Sequence, residues 1–300
     1  MAKQKGTATV DLFIVLTSKV PLVLDNCTLY ADDTTAWSAA SALLEQSAAS
    51  MAHMADTLGL ALNPSKTQHI VFRGGTKCLE EAALTVSGAT VRAKGKLEFL
   101  GWSVDHLNPT PFIEDQISAL KSRVYLMQQL SARVPPAVLG PVARVIFNRK
   151  AMYAVEHSHA VRLTDTDPLA DITSKLQVVY NDMSRVILRK RRADRLHRED
   201  LSFRSGIPSV NQTVFARAAR LAWQAMNGPH PAAEEFRARV LTMPTRAAER
   251  GLLRPVDASS KALAFRSAVR VWNWSPDLRA APTRAAAEKV VKKLMKKIPF

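Results

Sequence analysis

The stretch Leu29-Tyr30-Ala31-Asp32-Asp33-Thr34-Thr35-Ala36-Trp37 sets two carboxylates side by side in an otherwise apolar run. Like charges in contact repel, and burying either acid without a partner is costly. Cys27 to Tyr30 and Thr34 to Trp37 are β-prone on either side, the layout of a tight hairpin with the acids at its tip. In a straight strand neighbouring side chains point to opposite faces, whereas at a chain reversal both carboxylates lean toward one point. Two readings stand open there. One is a solvated turn, where Asp is at home. The other is a hard divalent cation held by the carboxylate oxygens, of which a pair would bridge nucleophile and leaving group in nucleotidyl transfer.

Working outward, residues 12–16 and 20–24 are apolar and lead into the hairpin. From Ser41 a helical period takes over through Leu43, Leu44, Met51, Met54, Ala55 and Leu58, with Gly59 as the stop. Residues 60–72 read as a turn and then a strand, and residues 96–105, after a polar loop, as strand-like again. Residues 1–108 are therefore expected as a small α/β domain. Beyond Pro109 the pattern becomes helical over 113–131, 137–156, 170–192, 211–227, 261–273 and 283–297, separated by prolines and glycines. The expected class is α/β followed by all-α, with a helical domain over 109–228 and a basic helical tail over 229–300.

An apolar fraction of 47% over 300 residues excludes disorder throughout. The net charge of +16 points to a polyanion, and its placement is uneven. Residues 1–100 hold 9 Lys+Arg against 9 Asp+Glu, so the whole excess lies in residues 101–300. Two cysteines, Cys27 and Cys78, make neither a zinc knuckle nor a disulfide framework and fit a reducing compartment. Asp11 interrupts the apolar lead-in and Lys19 closes it without a cleavage pattern, so the expected location is intracellular, nucleus or cytoplasm, rather than secreted. No apolar run is long enough for a membrane span.

Residues 185–198, RVILRKRRADRLHR, concentrate cations. On one continuous helix Arg185, Arg189, Arg192 and Arg195 fall near one face with Lys190 beside them, a row suited to phosphates; a solvated face or a nuclear-localisation patch competes with that. The terminal EKVVKKLMKKIPF reads as an amphipathic basic helix that could also lie on a membrane surface. Glu156 and His157-Ser158-His159 read as a surface helix end rather than a metal site. Few aromatics are available for base stacking, which favours backbone contact over base reading.

Taken in order, these segments resemble reverse transcriptases of non-LTR (LINE-type) retrotransposons. YADD at Tyr30 to Asp33 looks like that family's motif C, GLALNPSKTQHIVF (Gly59 to Phe72) like motif D, and KLEFLGWSVD (Lys96 to Asp105) like motif E, the primer grip. YNDMSRVILRK, GIPSVNQTVFARAARLAWQAM and VRVWNWSPDLRAA resemble its thumb and downstream region. The resemblance implies an incomplete polymerase palm (hairpin, helix, strands) followed by a thumb and tail, Mg²⁺ (or Mn²⁺) as cofactor, and RNA template with DNA primer as partners. It implies Asp32 as metal ligand with Asp33 assisting, Lys66 as proton donor to pyrophosphate, Tyr30 beneath the primer end, and Leu100 and Gly101 near the primer backbone.

The family also uses a third carboxylate from an upstream strand and a Gly-containing helix, neither of which is found here. Asp11 lies 21 positions before Asp32, too few to fit the intervening helix. The expectation is a truncated RNA-directed DNA polymerase that binds primer and template and is inactive alone. The alternative is a non-enzymatic basic nucleic-acid-binding protein derived from a retrotransposon. A third reading places the missing parts upstream in the genome.

Overall fold

The computed structural model describes residues 24, 27–30, 33–38, 40–71, 82–99, 102–104, 110–153, 155–167, 171–229, 233–240, 250–257 and 262–299. The chain divides into two units, Met1–Leu107 and Asn108–Phe300. It is a mixed α/β protein in which helices predominate.

In the first unit, strands β1 (Cys27–Tyr30) and β2 (Asp33–Ala36) form an antiparallel hairpin closed by the pair Tyr30 and Asp33. Helix α1 (Ser41–Thr57) follows. It ends as the sequence predicts: Gly59 takes φ +69°, Leu60 N–H donates to Ala55 O and Gly59 N–H to Asp56 O. This is a Schellman stop, which needs a residue free to be left-handed. Of the strand expected after Asn63, the described residues show a single bridge, His69 with Ala93.

A hairpin that the sequence reading leaves as polar loop, β3 (Ala83–Val86) with β4 (Ala89–Arg92), turns through Ser87 and Gly88 at φ 48° and 77°. Two positive φ values are what a two-residue type I′ turn requires. Leu84, Val86 and Val91 form a small core with Leu44, Ala48 and Leu62 packed on it. A third hairpin joins β5 (Leu97–Phe99) to β6 (Trp102–Val104). Among the described residues strands pair only within these hairpins, with no continuous sheet joining them.

Among the described residues the second unit holds helices α2 (Thr110–Ser131), α3 (Pro136–Ala151), α4 (Val155–Ser158), α5 (Asp171–Leu188), α6 (Arg198–Ser205), α7 (Val210–Asn227), α8 (Ala233–Arg237), α9 (Leu263–Trp274), α10 (Pro276–Arg279) and α11 (Arg284–Met295). Prolines start α3 and α10, where the missing N–H would have no helical partner anyway. At the centre stands α7, whose Ala218, Ala219, Ala222 and Ala225 are fully buried and let α9 and α11 approach closely. Ser209 caps it by accepting from Gln212 N–H, while the Gln212 side chain accepts from Ser209 N–H. The segment expected as a separate tail over 229–300 shares this core, which runs without a break from Leu120 to Ile298. No helix of the described residues is long and apolar enough to cross a membrane.

Candidate nucleic-acid interface

The hairpin β1–β2 leaves two residues for its loop, Ala31 and Asp32, and both lie outside the described residues. Asp33 opens β2 and is exposed opposite Tyr30. The primer-grip candidate has the same form: Phe99 and Trp102 close β5–β6, and Leu100 and Gly101 between them lie outside the described residues. Lys66 sits in a turn organised by Asn63, whose side-chain oxygen accepts from Ser65 N–H (3.0 Å) and Ser65 O–H (2.7 Å). Lys66 itself is exposed, with no partner for its amine among the described residues.

Magnesium demands near-octahedral oxygen ligation. Among the described residues no three His, Cys, Asp or Glu side chains gather in metal-binding reach. Asp33 alone does not fit a Mg²⁺ or Mn²⁺ site, and a complete one requires ligands beyond it.

The basic run departs from the predicted single helical face. Helix α5 stops at Leu188, and Arg189 takes φ +53°. Its guanidinium donates to Ser131 O (2.8 Å) and Val134 O (2.7 Å), satisfying carbonyls at the end of α2. The chain then folds back through a 3-10 turn over Arg192–Asp194, so that Arg192 makes a fork with Asp182 (3.2 and 2.6 Å). Arg185 reaches the same carboxylate at 3.3 Å. The Asp182 hydrogen bonds and charge push the Arg192 pKa up. One aspartate thus gathers two of the predicted phosphate ligands and two carbonyls take a third. Lys190 and Arg195 are exposed without an ion-pair partner among the described residues, and Arg195 is itself left-handed at φ +46°.

At the other end of the unit, α11 is fixed by polar contacts as well as packing. Arg220 forks onto Glu288 at 2.7 and 3.0 Å, and this hydrogen bonding holds the Glu288 carboxyl below its usual range. The buried Gln212 and Asn211 amides donate to Met295 O (3.0 Å) and Pro299 O (2.8 Å). Ala287, Val291, Leu294 and Ile298 are buried in the core, so the apolar side that a membrane-surface helix would insert is already covered.

The two histidines near the end of α4 differ in burial. His157 is exposed, but His159 is 2% exposed, with Nδ1 at 3.2 Å from Ser158 Oγ and Nε2 without a partner among the described residues. Burial pushes its pKa down to about 4, which makes it a neutral core histidine rather than a surface one. Comparisons with protein-family models, with curated proteins and with solved structures give no match.

Proposed function

We propose that this chain is a reverse-transcriptase-like protein of the non-LTR class that binds primer/template nucleic acid and does not extend a primer by itself. The observation that supports this best is the pair of two-residue-loop hairpins, β1–β2 and β5–β6. Each leaves a two-residue loop at the positions that the resemblance gives to motifs C and E, with α1 between them in the chain and a helical, cation-rich unit after them. Asp32 at the first tip would hold the metal with Asp33 assisting, and Leu100 and Gly101 at the second would lie along the primer. RNA template and DNA primer are the partners this reading assigns. The expected inactivity follows from the resemblance, in which Asp32 and Asp33 have no matching third carboxylate with which to share a metal pair.

The test is primer extension on an RNA template with Mg²⁺, run beside a binding measurement on the same duplex. We expect binding that weakens with salt and no extension. Extension that disappears in Asp32→Asn would overturn the inactivity. A second reading, a non-enzymatic nucleic-acid binder, is favoured by the exposure of Asp33 at the start of β2. Paramagnetic broadening by Mn²⁺ at the hairpin tip, lost in Asp32→Asn, would exclude that reading.

A further inference from the structure

Helix α11 has two unlike sides. Ala287, Val291 and Leu294, continued by Ile298, face the core beside α7. At about 100° per residue, Lys289, Lys292 and Lys296 then lie within an arc of about 60° on the opposite side. All three are exposed, and none is in an ion pair with the described residues. Of the acids close by, Glu288 is forked by Arg220 while its charge also acts on Lys292, and Asp277 pairs with Lys293 at 3.5 Å. Cations near a helix C-terminus also complement the helix dipole. That effect is confined to the last turn and leaves Lys289, six residues before the end of α11, unexplained.

Lys289 to Lys296 spans about 10 Å of helix, close to the rise of three base pairs at about 3.4 Å each. The row is straight and holds no aromatic side chain, so it suits a regular array of phosphates better than unstacked bases. We propose that Lys289, Lys292 and Lys296 form a contact surface for the sugar–phosphate backbone of a nucleic-acid duplex. They engage about three phosphates of one strand without reading sequence. The inference rests on the nucleic-acid reading above and adds the surface and the form of the partner.

The experiment measures binding of the full chain to a labelled mixed-sequence DNA duplex across a salt series. Wild type is compared with K289Q/K292Q/K296Q and with K289R/K292R/K296R. The glutamine triple is expected to lower the slope of log K against log [salt] by about 3 and to weaken binding at least ~10-fold at moderate salt. The arginine triple is expected to bind as wild type does. If the glutamine triple unfolds early, Lys292→Gln alone decides, with an expected slope loss of about 1. Wild-type binding left unchanged by the glutamine substitutions overturns the surface and leaves the nucleic-acid reading standing. Absence of duplex binding by wild type overturns both. Loss of binding to phosphatidylserine/phosphatidylcholine vesicles with duplex binding intact overturns the proposal in favour of a membrane partner.

Discussion

At His159 a titratable ring sits where water does not reach it. Its folded-state pKa of about 4 lies below the ordinary 6.5, so between those values the unfolded chain takes up a proton that the folded chain does not. The stability contributed by the neutral ring is therefore complete above pH 6.5 and is lost as the pH falls through that window. A gap of that size corresponds to roughly 3 kcal/mol. Urea unfolding of wild type should show this loss between pH 6.5 and 4, and His159→Gln should flatten the dependence. His69, whose pKa burial also lowers, acts in the same direction within the first unit. The sequence does not separate His157 from His159, because which of them faces the core depends on where α4 ends. The turn that carries Lys66 was legible, since Asn63 fixes it locally.

The helices were legible because their apolar residues recur with the helical period. The predicted spans 113–131, 211–227 and 283–297 lie within three residues of α2, α7 and α11 at either end. The β3–β4 hairpin was not read, although Leu84, Val86 and Val91 alternate around Ser87-Gly88. Gly88 tests that turn cleanly. An added methyl group there meets nothing within 4 Å, so Gly88→Ala acts through the backbone alone. At φ +77° the substitution should destabilise the first unit by about 1 kcal/mol, measurable by denaturant titration, and a neutral result would exclude the turn as drawn. The cationic run does not continue as one helix, a break its sequence hides because charged residues carry no periodicity. The end of α5 is accompanied by Arg189 reaching carbonyls 58 and 55 positions back, a long-range contact that no local pattern encodes.

On the scale of the whole molecule, the division near residue 107 was legible from the change in charge and periodicity. The break expected at Gly228-Pro229 interrupts a helix, not the core, and the contacts that join its two sides are far apart in sequence. Val291, Leu294 and Ile298 each bury an apolar side chain worth about 2 kcal/mol, to which the Arg220–Glu288 fork adds. Against a typical total of about 5–15 kcal/mol, that share is too large to remove. A chain ending at Thr283 should lose the cooperative thermal transition of the helical unit; a melt like that of the full chain would show α11 to be dispensable. The same dependence has a consequence during synthesis. Asn211 and Gln212 emerge from the ribosome long before Pro299 and Met295, the carbonyls that their amides bind. Until those positions are free to pack, the groove along α7 that receives α11 stands open and leaves apolar surface uncovered on the nascent helical unit.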